Sequence, residues 1–140
     1  MVKLGEIAYN VSALEWAVLN DPYANHPLLD VSKLLGRSTG QMAAALAAIA
    51  TQVGADDPQG HFLHVGSMAL KDVSRLRNRV LHARPGIRSD GAACLLHLRF
   101  QRSGTTESAW IDEPYLDQAL SRIDYWTGRV ERSSERFTNQ

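Results

Sequence analysis

The sequence feature that limits the possible folds most strongly is a long amphipathic segment, residues 60–84. Apolar side chains recur in it at steps of three and four residues, which places them along one face of an α-helix. The members of this apolar stripe are Phe62, Val65, Ala69, Val73, Leu76 and Val80. Leu63, Leu70 and Leu81 widen the stripe on one flank, as expected for a helix that contacts more than one neighbour. The segment therefore predicts a bundle of helices packed around it.

Two helical regions are predicted before this central helix. Residues 3–20 carry apolar side chains at helical spacing, and Pro22 ends the helix because proline cannot continue it. Residues 30–53 predict a second helical region with an interruption near residues 36–40. There Ser38 is followed three positions later by a glutamine, which is the spacing of a capping box, so a new helix is expected to start at that point.

After the central helix the pattern changes to that of a β-hairpin. Residues 92–101 alternate between two sets of side chains with the two-residue period of a strand. Residues 107–111 could form the returning strand after a turn at residues 103–104. Asp112 is then the expected N-cap of the last helix, and we expect residues 133–140 to be a frayed polar tail.

Together these elements predict a mainly α protein, an up-and-down four-helix bundle with a small β-hairpin inserted before the last helix. The bundle is expected to form one domain over residues 1–132 around a single apolar core. No apolar run approaches the ~20 residues that a membrane span needs, and the N-terminus lacks the pattern of a secretory leader. A single cysteine, Cys94, allows no internal disulfide, so the expected location is the cytoplasm.

The charges are balanced overall but unevenly distributed. Fifteen basic and fifteen acidic residues give a formal net charge of zero. A protein that binds nucleic acid through a broad electrostatic surface usually carries a basic excess, so the balance counts against a general DNA-binding role. Between residues 71 and 88, however, six basic residues stand against one acidic residue, Asp72. A local basic ridge is therefore compatible with a neutral molecule.

The segment whose residues are best suited to catalysis lies late in the central helix and contains Arg77, Asn78 and His82. At about 100° per residue, Asn78 and His82 are one turn apart on the same face of the helix. Arg77 stands to one side, at the edge of the apolar stripe, with a side chain long enough to extend toward His82. Such a cluster is alternatively a solvated polar face, or a polar seam where two chains meet.

The order Arg-Asn, three residues, His in a small helical bundle resembles the signature of the HEPN superfamily. That signature is an arginine and a histidine separated by four to six residues, commonly with a polar residue directly after the arginine. Residues 77–82 match its short form, and the pair Arg75 and His82 would match the long form. The resemblance implies a metal-independent endoribonuclease that acts on RNA as a homodimer, with the motif helices of two subunits forming one composite site. It also implies a toxin or defence effector restrained by an antitoxin or another regulatory protein.

The resemblance assigns catalytic roles to three residues. His82 would take the proton from a ribose hydroxyl near neutral pH, where imidazole titrates. Arg77 would stabilise the negative charge on the scissile phosphate, and Asn78 would orient His82 or bind the phosphate. The candidate RNA contacts beside them are Arg75, Arg79 and Arg84. Arginines near the end of a helix also interact with the helix dipole, which is the alternative role for Arg84. Several toxin members of the superfamily have a tyrosine at that position, so control through a modified tyrosine is not implied here.

Two other functions stay open. A HEPN-like bundle without activity would serve as an RNA- or protein-binding module, and a net charge of zero suits a protein partner. A DNA-binding regulator is less well supported, because no helix-turn-helix is evident in the sequence.

We expect neither a cofactor nor a metal. His61 and His64 have a spacing that metal ligands can have, but no further ligand at a suitable offset on the same helix completes a site. Glycine-rich phosphate-binding loops are absent from the sequence.

Overall fold

The computed structural model describes residues 2–87, 90–91, 93–100, 104 and 106–138. The protein is mainly helical, which confirms the predicted fold class at that level. Its helices are α1 (Val2–Leu19), α2 (Val31–Leu34), α3 (Thr39–Val53), α4 (Pro58–Leu81) and α5 (Glu113–Thr138), with a 3-10 helix at Pro22–Ala24. Its strands are β1 (Arg84–Ile87), β2 (Ala93–Phe100) and β3 (Thr106–Ile111).

Side-chain caps fix the starts of the helices. The capping box predicted at Ser38 is confirmed, because Ser38 Oγ accepts a hydrogen bond from the Gln41 backbone N–H at 3.2 Å and Gln41 Oε1 accepts one from the Ser38 N–H at 3.1 Å. Asp112 caps α5 as predicted, since its Oδ1 accepts from the Tyr115 N–H at 3.0 Å. These short-range contacts are the ones that sequence spacing determines.

The central helix α4 ends earlier than the sequence predicts. Its last helical residue is Leu81 rather than residue 84, and residues 84–87 form a strand that the sequence analysis missed. The reason is Pro85, because proline disfavours the helical conformation of the residue before it and favours an extended one. The strands pair antiparallel in the order β1-β2-β3, with Arg84 opposite Leu96 in the first pair.

The two terminal helices run in the same direction. Near their starts, Lys3 Nζ lies 2.9 Å from Asp117 Oδ1. At their other ends, Ser134 Oγ donates a 2.6 Å hydrogen bond to Asp21 Oδ2. Gln59 Nε2 donates at 2.9 Å to a backbone carbonyl of the loop that follows α1. The start of α4 therefore lies beside the end of α5, and α4 runs antiparallel to both terminal helices.

The predicted up-and-down order is therefore wrong. Gly40, at the start of α3, faces Ser74, late in α4, so α3 is antiparallel to α4 and runs in the same direction as α1 and α5. The cause is the connection between α1 and α3. Residues 20–38 are long enough, even when folded into short helical turns, to return the chain along the ~22 Å of a helix the length of α3.

The core lies around α4, as the apolar stripe predicts. Phe62, Leu63, Leu70 and Val73 are fully buried there, and α4 packs against α1, α3 and α5. The prediction that Leu81 widens the buried stripe on one flank is wrong, because this residue is 60% exposed. This residue lies beyond the start of α3, and so that neighbouring helix cannot cover it.

The predicted frayed tail is also wrong as far as Thr138, because α5 continues to that residue. Ser133 is buried, and the neighbouring Ser134 makes the hydrogen bond to Asp21 described above. Polar composition alone suggested a loose end, but the Ser133 hydroxyl donates to the Val130 carbonyl of its own helix at 2.8 Å, which allows this polar side chain to be buried. Residues 139–140 lie outside the described part of the chain.

An acidic side chain joins α4 to α5. Asp72 is 16% exposed and accepts two hydrogen bonds, from Arg122 Nη2 at 2.6 Å and from Trp126 Nε1 at 2.8 Å. We expect Asp72→Ala to lower the free energy of unfolding by about 1–3 kcal/mol, because the indole N–H would lose its acceptor at a partly buried site. Urea denaturation measures this loss. The exposed Asp124 is the matched control, and its alanine variant should stay within about 0.5 kcal/mol of the wild type.

None of the helices within the described ranges combines the length and hydropathy required of a membrane-spanning segment.

Candidate functional site

The exposed side of α4 gathers most of the sequence-predicted site residues. Lys71, Arg75, Asn78, Arg79 and His82 are all exposed. Lys71, Arg75, Asn78 and His82 follow one another at steps of four, three and four residues along one side of the helix, and Arg79 lies next to Asn78 on that side. We refer to these five residues as the cationic face of α4. The face exists because the apolar stripe of the helix is turned into the core, which leaves the basic residues outward.

His82 stands at the end of this face. It is the C-cap residue of α4, with φ −99° and ψ 7°, and its backbone N–H donates to the Asn78 carbonyl at 3.0 Å. This hydrogen bond holds the backbones of the two residues one helical turn apart on the same side of α4. Its imidazole is exposed, which leaves it open to a ligand from solvent.

Arg77 is directed away from His82. Five residues of helix separate them, which corresponds to a rotation of about 140° around the axis. Arg77 Nη1 donates at 3.3 Å to Thr39 Oγ1, and the Thr39 hydroxyl in turn donates to Glu15 Oε1. Because Thr39 is only 3% exposed, this contact ties Arg77 to the junction of α1, α3 and α4. In the single chain the guanidinium therefore does not extend toward His82.

The remaining predicted RNA contacts divide into two groups. Arg75 and Arg79 are exposed on the same side of α4 as His82. A rise of ~1.5 Å per residue puts Arg79 about 4.5 Å and Arg75 about 10 Å along the axis from His82. Arg84 is the first residue of β1, and its side chain falls outside the described part of the structure. The cation nearest His82 along α4 is thus Arg79 rather than Arg77.

Sequence reasoning missed the partners of Arg77. Thr39 lies 38 residues before Arg77, which it contacts, and Glu15 lies 24 residues before Thr39. Local spacing carries no information about such distant pairs. The one available signal was the position of Glu15 next to the buried face of α1, where an unpaired carboxylate would be costly and a partner is expected.

The cationic face is exposed to solvent at all five of its residues. Cavities of about 540 and 480 Å³ lie elsewhere in the described part of the molecule, and α4 contributes no lining residue to either of these two. An extended polymer can lie along such a surface, whereas small molecules are usually held in enclosed pockets. Within the described ranges, no three or more His, Cys, Asp or Glu side chains come together in a group that could hold a metal ion.

Comparison with known proteins identifies no relative of this chain. No family model, no curated protein and no solved structure matches the chain. Inference about its function therefore depends on the residues and geometry described above.

Proposed function

We propose that the chain is a metal-independent endoribonuclease of the HEPN type that binds RNA along the cationic face of α4. The observation that carries the proposal is the placement of an exposed histidine, His82, one turn from Asn78 on a helix face with three exposed cations. Phosphate groups of RNA would be attracted to Lys71, Arg75 and Arg79. The geometry supports an elongated substrate rather than a small one.

The chemistry assigned to His82 is proton abstraction. Neutral imidazole takes the proton from a ribose 2′-hydroxyl, and the 2′-oxygen then bonds to the adjacent phosphorus while the bond to the 5′-oxygen breaks. The departing 5′-oxygen takes a proton from water. Arg79 lies close enough along the helix to stabilise the additional negative charge on the phosphate, and Asn78 can hydrogen-bond one of its oxygens. The expected product carries a 2′,3′-cyclic phosphate.

The predicted homodimer with a composite site stays a proposal. A second α4 placed against the first would add another histidine and more cations to the same substrate. The contact between Arg77 and Thr39 means that Arg77 would have to leave this partner to reach a phosphate beside His82. A role as a toxin or defence effector under the control of a regulatory protein also stays a proposal.

A second candidate function is RNA binding without cleavage. It is favoured by one observation, the engagement of Arg77 with Thr39 and, through it, with Glu15. In that case the motif arginine serves to hold α4 against α1 and α3, and only the exposed cations meet RNA. Cleavage assays separate the two candidates, because only the first predicts cyclic phosphate products.

Both candidate functions require RNA to bind along the cationic face, and a binding assay tests this shared requirement. We expect Arg75→Ala and Arg79→Ala each to weaken binding of a fluorescent single-stranded RNA several-fold, because each removes a phosphate contact. Each variant should also reduce the slope of log affinity against log salt by about 0.7. Fluorescence anisotropy over a salt series measures both effects.

The control is Arg132→Ala, which removes an exposed arginine near the end of α5 and should leave affinity and salt slope unchanged. An Arg75→Ala/Arg79→Ala double variant that binds RNA as tightly as the wild type would show that the cationic face is not the RNA site.

A further inference from the structure

One side of α5 carries two arginines and two aromatic residues at helical spacing. They are Arg122, Tyr125, Trp126 and Arg129, and we refer to these four residues as the α5 patch. Arg132 lies beyond the patch, with its guanidinium next to Gly128. Acidic residues of the same helix recur at steps of four and seven residues on another side, at Glu113, Asp117, Asp124 and Glu131. The basic patch and these carboxylates are therefore on separate sides of α5.

Asp72 of α4 fixes the position of the α5 patch. Its two carboxylate oxygens accept the hydrogen bonds from Arg122 and Trp126 described above, and Asp72 directly follows Lys71 of the cationic face. The patch therefore adjoins the cationic face. The cations that the two surfaces bring together are Lys71, Arg75, Arg79, Arg122 and Arg129. Their combined charge exceeds the negative charge of Asp72, so a polyanion is attracted to both surfaces.

Tyr125 presents an aromatic ring to solvent in a supported position. Its side chain is 54% exposed, and the Trp126 indole packs against it edge to face, with ring centroids 5.2 Å apart at 69°. Arg129 Cζ lies 6.0 Å from the Tyr125 ring centroid and 5.4 Å from the Trp126 ring centroid. Because Trp126 is tied to Asp72, the groups that support the tyrosine ring are themselves anchored to α4.

We propose that the α5 patch binds an unpaired base of single-stranded RNA, with the base stacked on the exposed ring of Tyr125 and a neighbouring phosphate near Arg129. Cations attract the phosphates of any nucleic acid, whereas an aromatic ring stacks on the face of a base. In a duplex the bases stack on one another, so their faces are closed to Tyr125. The inference rests on the proposed function and names its substrate class as single-stranded RNA.

The distance between the patch and His82 separates the stacked base from the scissile bond. Asp72, which contacts the patch, lies ten residues before His82, or about 15 Å along the axis of α4. The nucleotide held on Tyr125 is therefore not the one beside His82. A strand that runs from the patch to His82 passes Arg75 and Arg79 on the way. The stacked base thus fixes the register of the strand along the cationic face.

Substitutions at Tyr125 test the stacking. Tyr125→Ala and Tyr125→Leu should each weaken binding of a fluorescent single-stranded RNA by about 5-fold or more, because both remove the aromatic ring. Tyr125→Phe keeps the ring and should bind like the wild type. All three variants should keep the wild-type slope of log affinity against log salt, since the ring contacts a base and not a phosphate. Fluorescence anisotropy measures affinity and slope, and circular dichroism confirms that each variant is folded.

An RNA duplex of the same sequence is the second probe. The wild type should prefer the single strand, and Tyr125→Ala should lose this preference because it weakens binding of the single strand alone. Tyr9→Ala is the matched control, since Tyr9 is 74% exposed on α1, which packs against the buried side of α4. This variant should bind both RNAs like the wild type.

Two results would overturn the inference on its own. One is wild-type affinity of both Tyr125→Ala and Tyr125→Leu for the single strand. The other is an equal loss of affinity for single strand and duplex in Tyr125→Ala, because base stacking cannot account for it. In either case, weaker binding by the Arg75→Ala/Arg79→Ala double variant would leave the proposed function standing. Failure of the wild type to bind either RNA would overturn both proposals.

Discussion

Replacing His82 by alanine is expected to lower the rate of RNA cleavage by about 10²- to 10⁴-fold, the usual contribution of a general base. The fold should not change, because the imidazole is exposed and the helix-ending hydrogen bond to Asn78 uses the backbone N–H of residue 82. RNA affinity should fall only slightly, since the cations that meet the phosphates remain. Cleavage of a labelled RNA by the purified protein, with a chelator present throughout, measures the loss.

The chain contains a matched control for this experiment. His64 is exposed and lies about five helical turns before His82 on the same side of α4, at the opposite end of the helix. His64→Ala should retain full cleavage. Equal activity of the wild type and His82→Ala would refute the catalytic proposal, and loss of wild-type activity on addition of the chelator would refute its metal-independent form.

Gly60→Ala is expected to lower the free energy of unfolding by about 3 kcal/mol and to lower Tm by roughly 10 °C. This cost lies in the upper part of the range measured when an extra methyl group is forced into a packed interior. A Cβ atom built on Gly60 lies 1.9 Å from the Gly54 carbonyl oxygen and 3.2 Å from Val53 Cγ1. The obstacle is backbone, so it cannot move aside as a flexible side chain would. The turn between α3 and α4 would have to open, and thermal and urea denaturation report the cost.

The control for this variant is Gly5→Ala in α1. No atom lies within 4 Å of the Cβ built there, and alanine is favoured over glycine in a helix by roughly 0.5–1 kcal/mol. Gly5→Ala should therefore stabilise the protein slightly. The same substitution is thus expected to change the free energy of unfolding in opposite directions at two helical positions. A neutral or stabilising Gly60→Ala would show that the close approach of α3 and α4 in this turn is not rigid.

Sequence reasoning predicted features that depend on neighbours along the chain. The stripe of α4 and the capping box at Ser38 follow from spacings of three and four residues, and both are found in the structure. Strand β1 depends on pairing with residues 93–96, and four residues interrupted by a proline carry no strand signal of their own. Helix direction was also beyond reach, because it depends on how residues 20–38 return the chain rather than on any periodic pattern.

In the candidate site too, features set by neighbours along the chain could be predicted, and features set by distant residues could not. The shared side of Asn78 and His82 follows from helical geometry, and the structure reproduces it. The orientation of Arg77 does not follow from that geometry alone, because a partly buried guanidinium points to the polar groups that can satisfy it. Those groups are supplied by α1 and α3, far away in sequence. The motif therefore predicts which residues to consider, while tertiary packing decides which of them face a ligand.

The contact between the first and last helices has a consequence during synthesis on the ribosome. Lys3 and Asp21 both contact partners on α5, which is translated after the other described helices and strands. Helices α3 and α4 are adjacent in sequence and can associate as an αα-hairpin much earlier, since short-range contacts cost little loop entropy. The side of α1 that α5 covers in the folded protein stays in water until α5 has been synthesised. During that interval the nascent chain exposes apolar surface, and such surface promotes aggregation.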